Sequence, residues 1–343
     1  MNFVRRDIVV RAVAAAGTAI LSSALALSAA TAQDKTYAMK ITLPTLNDPS
    51  YFFAKNYAAA VEKDSGGRIK TEIYPASQLG SIPRQIEGTQ FGAIQCAVIP
   101  PEFFVGVDER FEVTAAPGLV DSMAHGERLA ADPTMLKMML GLGADKGLHG
   151  VALFMNAPQS VIAKDAIRRL ADFKGKKIRV LASPFQTQAF ARLGATPVAM
   201  TLGDVVPAMQ QGAIDGALGG IVVWTPMHFV DTAKYVTETN QPAVYAIVEI
   251  SKTWYDSLPA DLQKIIDSDA AAQQAAIYPV AIDIVEKARK GWTDSGGELI
   301  SLPPDEQADM MKTFSSVGAD VSKTKPLLND AYKVATDAAQ RTR

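Results

Sequence analysis

The run DFKGKKIRVLASPFQTQAFARLGATPVAM, Asp172 to Met200, continues as TLGDVVPAMQQGAIDGALGG to Gly220, and its rhythm decides the fold. A short basic strand, Lys176 to Val180, gives way to a helix that opens at Ser183-Pro184 and ends at Leu193-Gly194, before a second short strand. A further helix closes at Gly212, and a third strand runs from Ala213 to Leu218. Strand, helix, strand, helix, strand with connections of about two to six residues is the pattern of a parallel sheet wound by right-handed crossovers. Such sheets take ligands beyond the carboxyl ends of their strands, and Arg179 stands at one of those ends.

Arg179 is flanked by Ile178 and Val180 in a strand that the pattern expects to be mostly buried. Arginine is seldom buried without a partner, and its planar fork matches a carboxylate with two parallel charge-assisted hydrogen bonds. The residues alone leave two readings open, ligand recognition and an internal salt bridge or surface position.

The blocks GKKIRV, LGATPVAM, QQGAIDG and KYVTETN (Lys234 to Asn240), with IYPASQLGSIPRQIEGTQFGAI (Ile73 to Ile94) and TWYDSLPADLQKII (Thr253 to Ile266), resemble the DctP-type solute-binding proteins of tripartite ATP-independent periplasmic (TRAP) transporters. The blocks keep that family's order and spacing over nearly the whole mature chain. The resemblance implies an α/β, two-lobed periplasmic binding protein of type II-like form, with a long C-terminal helix spanning both lobes. It implies that Arg179 grips the carboxylate of an organic acid, and that the partners are that ligand and the membrane permease subunits. It implies no cofactor. Two departures stand out. Many relatives carry a second arginine near the segment His149 to Arg168, where this chain offers Asn156, Gln159 and Ser160. Many also place an asparagine four positions after the aspartate of their DG pair, where this chain has Gly219 after Asp215-Gly216. Both remove polarity, so a monocarboxylate with a bulky apolar or aromatic portion fits better than a C4-dicarboxylate or a sugar acid.

Outward from this core, residues 1–32 read as a secretory signal. Arg5, Arg6 and Arg11 precede an Ala- and Leu-rich run ending in Ala30-Thr31-Ala32, an A-x-A cleavage site. The Arg5-Arg6 pair leaves the export route open between the general and the twin-arginine pathways. The expected destination is the periplasm. A chain of 343 residues with 48% hydrophobic and 20% charged residues has material for two cores. Cleavage would leave 31 basic and 35 acidic residues, a net charge of −4 with no basic stripe for nucleic acid and no stable membrane insertion. The division expected is 33–153 for the first lobe, 154–245 for the second, and 246–343 for a return to the first lobe with the long helix and the C-terminal helices.

The mature chain begins with a second strand-helix-strand-helix-strand unit. It comprises Tyr37 to Leu43, a helix behind Pro49-Ser50, RIKTEIY, a loop and helix, and QCAVI. The loop after its first strand, Thr45 to Phe52, offers Asn47, Tyr51 and Phe52 to a cleft, with Tyr51 or Phe52 alternatively a staple on the helix behind it. The loop after QCAVI offers Phe103 and Phe104, as pocket walls or as core plugs. Asn156 would add a hydrogen bond to the ligand. Trp224 follows Gly219-Gly220, which leave room for a ring, and it could be a stacking wall or core. Asp215 reads as a brace for the turn at Gly216. Pro259 should start the long helix and Pro279 should kink it, and the tail from Asp330 to Arg343 is polar enough to fray.

Cys96, the single cysteine, reads as a buried thiol. His125, His149 and His228 lack metal-ligand spacing, and no HExxH, CxxC, GxSxG or phosphate-loop motif occurs. The sequence therefore points away from an enzyme. An extracytoplasmic carboxylate sensor is the alternative use of the same fold.

Overall fold

A computed structural model describes residues 35–239 and 243–343. The expected signal segment 1–32, and the junction at Asn240 and Pro242, lie outside the described residues. The chain divides into Met1–Tyr37 and Ala38–Arg343, and the architecture below is that of the second unit.

Eleven strands among the described residues make two sheets. The first is formed by β1 (Tyr37–Thr42), β2 (Ile69–Tyr74), β3 (Cys96–Ile99), β4 (Leu148–Ala157) and β10 (Val244–Ser251), in the order β2-β1-β3-β10-β4. The second is formed by β5 (Ser160–Ala163), β6 (Lys177–Val180), β7 (Thr196–Ala199), β8 (Gly216–Gly219), β9 (Tyr235–Glu238) and β11 (Glu298–Ser301), in the order β11-β9-β5-β8-β6-β7. Helices α1 (Pro49–Asp64), α2 (Ile82–Gln90), α3 (Met123–Ala131) and α4 (Pro133–Gly141) serve the first sheet. Helices α5 (Pro184–Arg192), α6 (Val205–Gln210) and the single turn α7 (Ile221–Trp224) follow strands of the second. The chain closes with α8 (Lys252–Asp256), α9 (Ala260–Asp294), α10 (Pro304–Phe314), α11 (Val317–Ser322) and α12 (Pro326–Arg341).

Local chemistry sets the helix ends as the sequence leads one to expect. Asp48 caps α1 by accepting from the Tyr51 amide at 2.9 Å, with Pro49 in the first turn. Ser183 caps α5 by accepting from the Gln186 amide at 3.1 Å, with Pro184 behind it, and Gly194 leaves the helix at φ +77°. Asp215 braces its turn: Oδ2 accepts from the Lys177 amide at 2.7 Å.

The sheets are mixed rather than parallel throughout. β1 and β3 run parallel, as do β6 with both β7 and β8. β10 is antiparallel to β3 and β4, and β5 is antiparallel to β8 and β9. The antiparallel strands flank the two crossings. β4 ends in the first sheet at Ala157 and β5 begins in the second at Ser160, while β9 and β10 make the return. The C-terminal stretch expected to return to the first lobe also reaches the second sheet, because β11 pairs with β9 through Leu299–Val236 and its neighbours.

One core packs Ile99, Leu153 and Ile247 of the first sheet against Leu129, Met139 and Ala335. In the second sheet, Ile162, Ala217 and Val236 pack with Trp224, Val285 and Trp292, and Ile178, Val180 and Leu218 pack with Phe173 and Phe190. Helix α9, 35 residues and about 52 Å long, joins the two systems. Its first half receives the Tyr57 hydroxyl on the Ile266 carbonyl and holds the Leu153 amide with Gln274. Its second half receives the Thr225 hydroxyl on the Ala288 carbonyl and pairs Arg289 with Glu238 at 2.7 Å. Pro279 lies between these halves; the helix continues through it, although the ring removes one backbone donor there.

The tail packs on the first core in spite of its polarity. It is helical to Arg341, where Arg341 meets Asp132 at 3.1 Å and His125 Nε2 lies 2.8 Å from the Ala339 carbonyl. Buried Ala331, Ala335 and Ala338 give the helix an inward face that a count of polar residues overlooks.

Candidate ligand site between the two sheets

Four loops leave the carboxyl ends of β1, β3, β6 and β8, and together they enclose a cavity between the sheets. The first sheet supplies Pro44, Thr45, Asp48, Ser50, Pro100 and Phe103 from these loops, with Val98 and Asn156 from the strands. Ile82 and Val244 complete this side. The second sheet supplies Arg179, Leu181, Gly219, Gly220 and Trp224, with Leu202 and Val223. The empty space is about 520 Å³, of which about 50 Å³ admits the centre of a water-sized sphere. That is room for a few waters, so a ring-bearing ligand requires the walls to part.

Arg179 is 3% exposed. It pairs in register with Val198 of β7 and Ala217 of β8, between two strands whose ends offer carbonyls. Nε donates to Met200 O at 2.9 Å and Nη1 donates to Leu218 O at 2.8 Å. These bonds fix the plane of the guanidinium. They use two of its five N–H donors, and Nη2 bonds to no other described residue. Burial lowers Arg179 to about 10, opposed first by Glu102 and then by Asp204, so it stays cationic at neutral pH. A fixed, buried cation with donors to spare has the chemistry to pair with an anion.

Trp224 is completely buried and packs in the second-sheet core, and it also borders the cavity. Nε1 donates to Ser160 Oγ at 3.1 Å, so the indole is anchored from behind and presents apolar ring to the cavity. Gly219 is required by this arrangement: a Cβ built on it would fall 2.6 Å from Trp224 Cη2. Any side chain at 219, an asparagine included, would collide with the indole.

Phe103 and Phe104 divide the two roles expected of them. Phe103 lines the cavity, whereas Phe104 is wholly buried and packs on Phe111 with ring centroids 5.1 Å apart. Asn156 lines the cavity too, and both acceptor positions and one of the two N–H donors of its amide are engaged within the protein. Oδ1 accepts from Ser50 N at 3.1 Å and Ser50 Oγ at 3.2 Å, while Nδ2 donates to Asp48 Oδ2 at 3.3 Å. Asn156 therefore pins the β1–α1 loop to the end of β4. Burial raises the Asp48 carboxyl, with the Tyr51 amide, Thr45 and Asn156 opposing it.

Tyr51 does not line the cavity. The cap at Asp48 and Pro49 phases α1 so that Ser50 turns inward and Tyr51 turns aside, half-buried and edge-on to Phe52 at 6.0 Å. Sequence reasoning missed Asp48, Thr45 and Ser50. The signal available was the Asp48-Pro49-Ser50 helix start directly after a strand, which brings the capping residues themselves to the strand's carboxyl end.

Cys96 is buried and its thiol is pushed up by that burial. No group of His, Cys, Asp and Glu able to hold a metal ion is found among the described residues, and no described helix is long and apolar enough to cross a membrane.

Comparison with known proteins gives this geometry a context. An uncharacterized protein of Salmonella typhimurium is 27% identical over 209 residues, 61% of this chain and 64% of that protein, just under two thirds of its length. The C4-dicarboxylate-binding periplasmic protein of Rhodobacter capsulatus is 26% identical over 273 residues, 79% of this chain and 81% of that protein. A TRAP periplasmic solute-binding protein of Desulfovibrio salexigens, crystallised with bound orotic acid, superposes with a TM-score of 0.84 at 22% identity, covering 90% of this chain and 100% of that one. That likeness is one of fold: two lobes of mixed α/β sheet joined by a long helix. The family profile described as bacterial extracellular solute-binding protein, family 7, matches residues 42–324, a span that contains every residue of the cavity and ten of the eleven described strands in full, so this chain belongs to that family of extracytoplasmic binding proteins.

Proposed function

We propose that the protein is the periplasmic solute-binding component of a TRAP transporter, capturing a monocarboxylate with a bulky apolar or aromatic body and delivering it to the membrane permease subunits. The observation that carries this is Arg179, buried and fixed by two carbonyls, with donors left over in an otherwise largely apolar cavity. It is the one basic residue among the described residues of the cavity wall, so a second carboxylate would be desolvated there without a cation. Trp224, Phe103, Ile82, Leu202 and Val223 suit a ring or a branched chain. Orotic acid, bound by the Desulfovibrio salexigens relative, is itself a ring bearing one carboxylate. The Rhodobacter capsulatus relative is named for C4-dicarboxylates, which makes that class the competitor to test.

The test is a thermal-shift screen of the mature protein. The probes are benzoate, phenylacetate, orotate, pyruvate, galacturonate, gulonate, succinate and malate. A ligand that binds only the folded state raises the melting temperature. Shifts concentrated in the ring-bearing monocarboxylates are the expected result. Shifts confined to succinate and malate, or to the sugar acids, would overturn the ligand class, and silence with all acids would overturn carboxylate capture.

A further inference from the structure

Leu218 and Gly219 close β8, and both the cation and the ring of the second-sheet wall hang on them. The Leu218 carbonyl accepts from Arg179 Nη1 at 2.8 Å. The Gly219 carbonyl accepts from Ser160 Oγ at 3.3 Å, and the same Ser160 oxygen accepts from Trp224 Nε1 at 3.1 Å. Ser160 opens β5, pairs in register with Gly219, and is 3% exposed without lining the cavity. Its hydroxyl has one proton to donate, and Gly219 takes it. Ser160 is thus a fixed post behind the wall, holding the indole by its one polar atom.

Two further contacts set the plane of the indole. Its six-membered ring lies against Gly219, where a Cβ would fall 2.6 Å from Cη2. Phe229 packs on it with ring centroids 4.9 Å apart and planes at 59°. Guanidinium and indole are therefore mounted on consecutive residues of a wholly buried strand, whose Cα atoms are about 3.8 Å apart. Moving either group breaks a hydrogen bond to that strand or to Ser160. Both belong to the second-sheet wall, so a parting of the walls that admits a ring leaves their spacing unchanged.

We propose that the end of β8 is a ruler, with Ser160 as its positioning residue: the site selects acids whose ring is joined to the carboxyl carbon directly or through one atom. The proposal rests on the reading that Arg179 grips a carboxylate, and it narrows the ligand class to aryl and arylacetic acids. With a longer tether, a carboxylate on Arg179 carries its ring past the indole, and a ring on the indole draws its carboxylate off Arg179. Apolar burial alone gives the opposite order, since each added methylene would tighten binding about fourfold.

The test titrates benzoate, phenylacetate, 3-phenylpropionate and 4-phenylbutyrate calorimetrically into the mature wild type and Ser160→Ala. In the wild type, affinity should peak at benzoate or phenylacetate and fall by about tenfold at 4-phenylbutyrate as the ring contact is lost. Ser160→Ala, which releases the indole at Nε1, should abolish that fall. Affinity level or rising along the series in the wild type would overturn the ruler and leave the carboxylate reading standing. The same fall in both proteins would overturn the role of Ser160. Silence of all four acids would overturn the reading of a ring-bearing carboxylate, and the proposal with it. A ligand-free arm tests the mounting by itself. In nitrogen-15 protein, the indole N–H of Trp224, identified by its absence in Trp224→Phe, should give one slowly exchanging resonance. In Ser160→Ala it should shift and exchange faster by about tenfold or more. An unchanged resonance would overturn the anchoring whether or not any acid binds.

Discussion

The two walls of the cavity handle their polar groups in opposite ways. On the first-sheet wall, Asp48, Ser50 and Asn156 bond to one another through three hydrogen bonds that tie the β1–α1 segment to β4, and Asp48 also caps α1 at the Tyr51 amide. On the second-sheet wall, Arg179 is fixed by two backbone carbonyls and keeps donors unused, beside an indole whose one polar atom is turned away. Both walls contain buried polar residues, and burial does not distinguish them. What distinguishes them is the charge: the first wall leaves Thr45 Oγ1 and one Asn156 N–H unused, whereas the second leaves unused the donors of a buried cation, which is the feature the proposed ligand reading uses.

That contrast can be broken in four places. The largest effect should come from Arg179→Ala, which removes the only cation among the described cavity-lining residues and should weaken binding of the acid identified in the screen by at least about 2 kcal/mol. Calorimetry with circular dichroism checks it, and a smaller loss with the fold intact would make Arg179 a structural residue instead.

Next is a pH effect on stability that belongs to two buried acids. Burial holds Glu112 at about 7 and Glu102 at about 8 in the folded protein, against about 4.3 in an unfolded chain. Their raised values mean that the folded state binds protons the unfolded state has released. The stabilisation is complete below the unfolded value and is lost as pH rises through 7 to 8. Carboxylates held low, such as Asp320 at about 2 beside Arg192, have finished titrating below this window. Melting temperature should therefore decline from about pH 5 to about pH 9, and less steeply in Glu102→Gln; a rise would contradict the assignment.

Third, Asn156→Ala should cost about 1–3 kcal/mol of stability by stranding the buried groups of Ser50 and Asp48, and should change ligand affinity less than Arg179→Ala does. Denaturant unfolding and calorimetry on one sample separate the two effects. Loss of binding without loss of stability would give Asn156 a ligand-binding role. The smallest effect is expected from Tyr51→Phe, within about 0.5 kcal/mol for both stability and binding, because Tyr51 lies off the cavity.

The same contrast explains what was legible in the sequence. Capping residues and glycines are local signals, so the helices after Ser183 and Pro49 and the strand bearing Arg179 could be read directly. Arg179 was visible because a cation between Ile178 and Val180 has no local reason to exist. Non-local pairing left less trace. The antiparallel direction of β5 and β10, and the placement of β11 beside β9, depend on partners tens of residues away. Tyr51 misled because an aromatic past a strand end draws attention, whereas the Asp48 cap sets the helix phase and turns Ser50 inward in its place. Asn156 was visible as a residue and not as a role, since its commitments to Ser50 and Asp48 span more than a hundred residues of chain. Glu102 was visible as a residue of the loop past β3 and its burial was not, because an acid in a loop reads as solvated until the fold closes over it.

The most direct test of the account is a crystal structure of the mature protein with the acid that gives the largest thermal shift. The account predicts the ligand carboxylate within hydrogen-bonding distance of Arg179 Nη2, its body against the Trp224 ring, and the Asp48–Asn156–Ser50 bonds unchanged. A carboxylate bound by Asn156 and Ser50, with Arg179 still held only by Met200 and Leu218, would contradict it.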